Sequence, residues 1–256
     1  MSSNELIKCH SCGSSSAVKA GLKKLKNETT QRYKCSSCGR YFSSKKLKNK
    51  SYAPKIIVNS ISIYNLGYTL EETKSILAKK FKAKAPLTTI HSWLNEYKEI
   101  CTFGRLRKQA AKLYSPREML HNQTLSHTQP YTFKYHKAKL DILLKENPQF
   151  NALKDYLNKI NSNKFPHHIF TYNKGKDNKT DEQRASQLKF SHLNIRIINK
   201  DNQANELAKL ALNLAANNKQ RHQSIQDFML INDSTTIAVE VPVCLTNWDA
   251  GYYRNQ

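Results

Sequence analysis

The chain has 256 residues, enough for two or three modest domains. Lys and Arg number 42 against 19 Asp and Glu, a formal net charge of +23, and 17 of these excess charges lie in the first 114 residues. No run approaches the roughly 18 apolar residues of a transmembrane helix, and no secretory signal follows the start, so a membrane-embedded or secreted protein is not expected. The composition predicts a cytoplasmic, nucleoid-associated protein with a polyanionic partner.

Two Cys-x-x-Cys-Gly turns, here called knuckles, stand near the start of the chain and contain Cys9, Cys12, Cys35 and Cys38. The spacing lets both sulfurs of a knuckle reach one ion, and the glycine allows the backbone to turn around it. Four thiolates leave no open coordination position, so the pattern predicts one structural zinc ion rather than a catalytic one. A β-hairpin with strands over 17–25 and 32–42 would connect the knuckles.

The sequence context of the cysteines favours zinc over three other interpretations. Two disulfides need an oxidising compartment, and a redox Cys-x-x-Cys needs a strand–motif–helix context that neither knuckle has. The ring of His10 would compete with the flanking cysteines for the same turn, so we interpret it as a solvent-exposed neighbour. Cys101 and Cys244 are isolated and fit packing roles.

Metal binding would supply the folding free energy that a segment of about 50 residues lacks. The folded ribbon would then present basic side chains to phosphate groups, namely Lys19, Lys23, Lys24, Lys26, Arg32, Lys34 and Arg40. Three aromatic residues, Tyr33, Tyr41 and Phe42, fit either base stacking or the small core of the ribbon, and the core is the preferred interpretation.

Residues 51–114 show three successive helical patterns. Apolar side chains recur at helical spacing over 53–64, and the Asn-Leu-Gly at 65–67 ends that helix. Thr69 and Glu72 form a capping box at the start of a second helix, which runs to about Phe81. The third helix is predicted over 88–100, and its inward stripe consists of Ile90, Trp93, Leu94 and Tyr97.

The second and third of these helices predict a helix-turn-helix arrangement. Lys82 and Lys84, near the end of the second helix, would contact phosphates. Apolar stripes alone do not indicate DNA binding, because any three-helix bundle has them. The net charge of +7 over residues 51–114 favours DNA binding. The basic tail at 105–112 is interpreted as a solvated face. The residues of the third helix expected to reach base edges in a major groove are Thr89, His91, Ser92 and Asn95.

Two parts of the chain resemble the N-terminal region of insertion-sequence transposases. Cys-His-Ser-Cys-Gly at 9–13 and Gln-Arg-Tyr-Lys-Cys-Ser-Ser-Cys-Gly-Arg-Tyr-Phe at 31–42 resemble the zinc ribbon of that family. The sequences at 64–73 and 88–94 are similar to its helix-turn-helix. The resemblance covers about residues 7–100 and implies recognition of element ends in DNA recombination, not catalysis. The three metal-binding carboxylates of the family's RNase H-like domain have no visible counterpart after residue 115.

The rest of the chain predicts mixed helix and strand after a polar stretch at 121–130. Helices are expected over 137–144 and 150–160, a long amphipathic helix over 202–230, and a strand over 235–245, with an exposed loop at 173–181. A long helix feeding a strand that carries Glu240 resembles the opening of a PD-(D/E)XK restriction-endonuclease-like domain. Such nucleases also need an acidic-x-Lys strand further on, and none follows before Gln256. The resemblance therefore implies an incomplete copy, in which Glu240 is a surface carboxylate.

The sequence predicts a multidomain α+β chain: a zinc ribbon over 1–48, a three-helix helix-turn-helix domain over 51–114, and an incomplete nuclease-like α+β domain over 130–256. Its expected function is zinc-dependent binding of double-stranded DNA, without catalytic residues of its own and without a membrane partner. The alternative is a metal-dependent nuclease or transposase component whose catalytic core is truncated or supplied by another chain. A second copy or another subunit would be the protein partner.

Overall fold

The structure, a computed structural model, describes residues 7–9, 11–26, 29–43, 47, 50–126, 130–159, 201–215 and 217–241. These residues form eight α-helices and two three-stranded antiparallel sheets, which confirms the expected mixture of helix and strand. The chain divides into two compact units. Unit 1 comprises Met1–Met119 with Leu207–Thr236, and unit 2 comprises Leu120–Glu206 with Ile237–Gln256.

The sheet near the start of unit 1 consists of β1 (Ala17–Lys24), β2 (Thr29–Cys35) and β3 (Tyr41–Ser43), in that order. The hairpin expected between the knuckles is confirmed. The strand expected over 32–42 is divided in two, because the second knuckle turns the chain back between β2 and β3. Tyr33 is buried and stacks on Phe42 with ring centroids 5.8 Å apart, so these two aromatic residues form the small core of the sheet.

Three helices follow: α1 (Pro54–Asn65), α2 (Leu70–Phe81) and α3 (Leu87–Tyr97), each packed on the other two. The capping box at the start of α2 is confirmed. The Glu72 backbone N–H donates to Thr69 Oγ1 at 3.1 Å, and the Thr69 N–H donates to Glu72 Oε2 at 2.8 Å. After Phe81 the chain leaves the helix through Lys82, whose φ is +53°.

The basic tail differs from the expected solvated face at one position. A 3-10 turn over Thr102–Arg105 leads into α4 (Arg107–Leu113), and Arg107 is half-buried at its start. Its guanidinium lies 3.8 Å from the Tyr64 ring centroid and donates to the carbonyl oxygens of Tyr64 and Tyr68, both at 2.7 Å. Arg107 therefore stabilises the C-terminal end of α1 and the segment after it, because a cation there can donate hydrogen bonds to carbonyl oxygens that lack a partner within the helix.

The prediction of one long helix over 202–230 is wrong. Two shorter helices take its place, α7 (Gln203–Ala211) and α8 (Arg221–Asn232), with a 3-10 turn over Asn218–Gln220 between them. Asparagine side chains explain the break, because they compete with the backbone for hydrogen bonds. Asn213 Nδ2 donates to the Leu210 carbonyl at 2.9 Å, and Asn217 Oδ1 accepts from the Gln220 N–H at 3.1 Å.

The core of unit 1 combines α1–α3 with α7 and α8. Ile57, Leu77 and Ile90 are fully buried, and Leu207, Leu210 and Phe228 belong to the same apolar cluster. Residues 207–236 thus pack with the helical block, whereas the sequence groups them with 130–256. The reason is that α1 presents more apolar surface than α2 and α3 cover, and hydrophobic burial is independent of chain order.

Unit 2 contains β4 (Leu120–Ser126), β5 (Pro130–His136) and β6 (Ala238–Val239), in the order β4-β5-β6. Helix α5 (Lys137–Glu146) follows β5, and a 3-10 turn over Pro148–Phe150 leads into α6 (Asn151–Lys159), which confirms the two short helices expected here. The core consists of Phe133, Tyr135, Leu140, Leu144 and Leu157.

The polar stretch at 121–130, to which the sequence assigns no element, lies largely in strands, because β4 pairs along its whole length with β5 and needs no apolar side chains of its own for that pairing. The strand expected over 235–245 is limited to Ala238–Val239 among the described residues. Asp233 Oδ1 accepts from the backbone N–H groups of Thr235 and Thr236, which holds that segment in a turn. Residues 242–256 and the loop expected at 173–181 lie outside the described residues.

Candidate metal centre and nucleic-acid surface

The two knuckles bring the four cysteine sulfurs together. All four Sγ atoms lie within 4.8 Å of one another, and Sγ–Sγ distances of 3.6 Å join Cys9 to Cys38 and Cys12 to Cys35. These distances exceed the roughly 2.05 Å of a disulfide, and the cysteines are free. In the part of the chain that the structure describes, no other group of three or more His, Cys, Asp or Glu side chains has this geometry.

The two knuckles have the same backbone hydrogen bonds. The Gly13 N–H donates to the Cys9 carbonyl and the Gly39 N–H to the Cys35 carbonyl, both at 2.9 Å. Both glycines have a positive φ, +74° at Gly13 and +69° at Gly39, which L side chains adopt only with strain. The Ser11 N–H also points at Cys9 Sγ at 3.4 Å. The repeated turn explains why two short sequence motifs place four sulfurs in one cluster.

The surroundings of the sulfurs differ. Backbone N–H groups of Ser11 and Cys12 lower the pKa of the Cys9 thiol. The pKa of Cys35 is lowered to about 6, mainly by a hydrogen bond from the backbone N–H of Cys38. At Cys12 the Ser14 N–H lowers the pKa, but the sulfurs of Cys38 and Cys35 outweigh it and raise the pKa to about 12. Four adjacent thiols therefore do not ionise together unless a cation offsets their charge, and a divalent metal would supply that charge.

The donor set and its size fit a tetrahedral metal ion. Metal–sulfur distances of about 2.3 Å place the sulfurs of an ideal tetrahedron about 3.8 Å apart, which is close to the two shorter distances observed. Cys9 and Cys35 are buried, whereas Cys12 and Cys38 are exposed, so the cluster lies at the surface. The arrangement is compatible with a metal site such as zinc, and four protein ligands would fill its coordination.

The basic residues predicted on the ribbon lie at its surface. Lys23, Lys24, Arg32 and Arg40 are all exposed. Arg40 Nη1 reaches Ser11 Oγ at 3.5 Å, and so connects the second knuckle to the first. Lys26 is placed differently: its Nζ lies 4.6 Å from the Tyr52 ring centroid, and its backbone N–H donates to the Ser51 carbonyl at 3.0 Å, so it joins the ribbon to the start of the helical block.

The predicted contact residues of α3 share one face of the helix. His91, Ser92 and Asn95 are exposed, and Thr89 is half-buried. The opposite face is buried through Ile90, Trp93 and Tyr97, as the stripe predicts. Asn95 Nδ2 and His91 Nδ1 lie 3.2 Å apart, and both side chains line a cavity of about 320 Å³ that also contacts Tyr64, Lys98 and Arg105. Lys82 and Lys84, between α2 and α3, are exposed as well.

The core position preferred for all three ribbon aromatic residues is wrong for Tyr41. Tyr33 and Phe42 pack together, whereas the side chain of Tyr41 is 52% exposed. The Arg32 guanidinium lies 4.0 Å from the Tyr41 ring centroid, and Lys34 Nζ lies 5.8 Å from it. Strand alternation is the signal that separates them, because adjacent residues of β3 point to opposite faces of the sheet.

Among the described residues, the carboxylates outside unit 1 have ordinary partners or surface positions. Asp141 pairs with Lys154 at 2.7 Å, and Asp155 and Asp201 are exposed. Glu240 follows the edge strand β6 with a φ of +53° and is half-buried. His10, Asp181, Cys244 and Asp249 lie outside the described residues.

Comparison of the chain with family models, curated proteins and solved structures finds no match to any of them. None of the described helices has both the length and the apolar character needed to cross a membrane.

Proposed function

We propose that this protein binds double-stranded DNA through a zinc-stabilised ribbon and a helix-turn-helix, has a transposase-like origin, and has no catalytic activity of its own. The observation that carries the proposal is the cluster of four sulfurs within 4.8 Å at the base of a sheet whose exposed side chains are largely basic. When bound, zinc supplies the folding free energy of the ribbon. The chain's own residues then position the cations.

The charge distribution supports a polyanionic ligand. Between residues 6 and 70 the sequence contains one acidic residue, Glu28, so almost nothing neutralises the lysines and arginines of the ribbon. Neutralising phosphates with Lys and Arg releases counterions, which is the main source of affinity in most protein–DNA complexes. This contribution does not depend on base sequence, and it would position the protein on the duplex.

Base recognition is assigned to α3. An α-helix fits the major groove of B-DNA, where His, Ser, Thr and Asn side chains can hydrogen-bond base edges. The buried stripe of α3 fixes the helix on α1 and α2, which leaves His91, Ser92 and Asn95 exposed and Thr89 half-buried beside them; His91 and Asn95 also line the cavity. Lys82 and Lys84 precede the helix and would meet the phosphates that flank the groove.

Filter binding of the purified, zinc-loaded chain to a duplex over a range of salt concentrations tests the proposal. The affinity should fall steeply with salt, with a slope of about −0.9 for each phosphate contacted. The double variant Lys82→Ala/Lys84→Ala should flatten that slope by one to two contacts. The matched control, Lys145→Ala/Lys154→Ala in unit 2, should leave it unchanged. Salt-independent binding, or no binding, would contradict the proposal.

A further inference from the structure

One face of the ribbon sheet carries an exposed aromatic ring among cations. In the registers of β1 with β2 and of β2 with β3, Val18 pairs with Lys34 and Lys34 pairs with Tyr41. Directly paired residues of antiparallel strands point to the same face, and Arg32, two residues before Lys34, shares it. We name Val18, Arg32, Lys34 and Tyr41 the outer face. The row of Lys19, Tyr33 and Phe42 lies on the opposite side of the sheet.

The outer face leaves apolar surface in solvent. Val18 is 55% exposed and Tyr41 52% exposed, although the opposite side of the same small sheet buries Tyr33 and partly buries Phe42. The ribbon therefore satisfies its core without Tyr41. An exposed tyrosine offers an apolar ring face together with a hydrated hydroxyl, a combination that is enriched at contact surfaces.

The neighbours of Tyr41 define the chemistry of the ligand. The guanidinium of Arg32, 4.0 Å from the ring centroid, and the ammonium of Lys34, 5.8 Å away, place two cations against one ring. No carboxylate lies on the described part of this sheet. A ligand that fits must offer a flat apolar face together with negative charge, and a nucleotide base with its phosphates has both.

We propose that the outer face binds a segment of single-stranded DNA, with one unpaired base stacked on Tyr41 and its flanking phosphates against Arg32 and Lys34. Bases inside a duplex are already stacked on both sides, so a protein ring reaches a base face only where the strand is unpaired or opened. This inference rests on the proposed DNA-binding function and extends it. The ribbon would hold an unpaired strand while α3 reads the adjoining duplex.

The test compares a single-stranded oligonucleotide with the duplex of the same sequence by fluorescence anisotropy, using the full zinc-loaded chain. Tyr41→Leu should weaken single-strand binding about tenfold, as expected when one stacked base is lost, and should change duplex affinity less than about twofold. Tyr41→Phe should retain the wild-type affinities because the ring remains. Tyr156→Leu, which removes an exposed tyrosine from unit 2, is the matched control and should change neither.

A second measurement does not depend on how the variants fold. Irradiation of the wild-type complex with an oligonucleotide containing 5-iodouracil should crosslink the base to Tyr41, as located by mass spectrometry. A crosslink confined to other residues would overturn the inference, as would equal losses for both DNA forms in Tyr41→Leu.

The outcomes separate the two proposals. Binding of duplex but not of the single strand overturns this inference and leaves the proposed function intact, whereas binding of neither overturns the proposed function. Much tighter binding of the corresponding RNA strand than of DNA would assign the outer face to RNA, and would also overturn the inference.

Discussion

The knuckle cysteines show what residue-level chemistry would require of a metal ion at this site. Backbone N–H groups favour the thiolate at Cys9 and Cys35, while Cys12 is held protonated by its sulfur neighbours. Replacing one sulfur leaves three ligands and an incomplete coordination shell. The whole cluster, rather than any single thiol, is therefore the functional group.

Cys35→Ser is expected to abolish stoichiometric zinc binding, because a buried ligand of the cluster is lost. The measurement is the zinc content of the purified chain by elemental analysis, with about one ion per chain in the wild type and far less in the variant. Cys101→Ala is the control. Cys101 is buried and lies outside the cluster, so this variant should retain its zinc. Full zinc content in Cys35→Ser would show that the knuckles do not bind the ion.

A second residue-scale prediction concerns His136, which is fully buried at the start of α5. Its Nδ1 accepts from the Lys139 backbone N–H at 3.3 Å, so the ring caps the helix in its neutral form. Burial, together with the positive charge of Lys139, lowers the pKa of His136 to about 3. Between pH 6.5 and about 3 the unfolded chain binds a proton at this site that the folded chain excludes, so the free energy of unfolding falls as the pH falls.

His136→Asn should reduce that pH dependence, because asparagine also caps a helix but does not titrate. Urea unfolding at pH 7, 6, 5 and 4, followed by circular dichroism, measures the difference. The wild type should lose up to about 1.4 kcal/mol per pH unit more than the variant within this window. Parallel pH profiles for the two proteins would contradict the assignment of this loss to His136.

At the scale of elements, a buried polar contact fixes α8 on α1. Asn65 Nδ2 donates to Asn232 Oδ1 at 2.9 Å, and Asn232 Nδ2 donates to Ser62 Oγ at 2.9 Å. Both asparagines are buried, at 3% and 0% exposure, so their hydrogen bonds specify one alignment of the two helices. The contact joins residues 167 positions apart in the chain.

Asn232→Ala should destabilise the protein by about 1–3 kcal/mol, because it leaves the buried amide of Asn65 without its acceptor. Asn59→Ala is the control. The Asn59 amide donates to the Lys55 carbonyl oxygen within α1, so its loss should be close to neutral for stability, since alanine favours the helix. Urea unfolding of the two variants under identical conditions gives the comparison. Equal stabilities would show that α8 does not depend on this contact.

The elements that could be predicted are those with local signals. Helices α1 to α3 follow from apolar spacing and from the capping box at Thr69, and the knuckles follow from cysteine and glycine spacing. Strand β4 has no apolar alternation, because it forms through pairing with β5, and sequence patterns do not report such pairing. The prediction of one helix over 202–230 overlooks the polar run at 217–224, where the apolar spacing stops and where Asn213 and Asn217 interrupt the helix.

In the candidate site, too, features with a local sequence signal could be predicted and features that depend on tertiary contacts could not. The four sulfurs were predictable, since ligands at short spacing in two repeated turns determine most of their own geometry. The structural role of Arg107 was not, because its partners Tyr64 and Tyr68 lie outside its own helix, and strand alternation separates Tyr41 from Phe42 only once β3 is known. Side-chain environment, unlike metal-ligand spacing, is a tertiary property.

At the scale of the whole molecule, the three features that support the proposed DNA binding occur in one unit. Unit 1 contains the sulfur cluster, the basic ribbon and α3, and its core is completed by α7 and α8 from the distant part of the chain. The excess positive charge is also concentrated in the first 114 residues. A metal-dependent change in the ribbon should therefore reduce DNA binding while leaving most of the helical core of unit 1 in place.

Removal of the metal tests this account most directly. The zinc-loaded chain is treated with a strong chelator, and duplex affinity is measured before chelation, after it, and after zinc is restored. We predict that chelation releases about one ion per chain, unfolds the ribbon and weakens duplex binding at least tenfold, and that added zinc restores both. A metal-free chain that keeps its ribbon structure and its full affinity for the duplex would contradict the account.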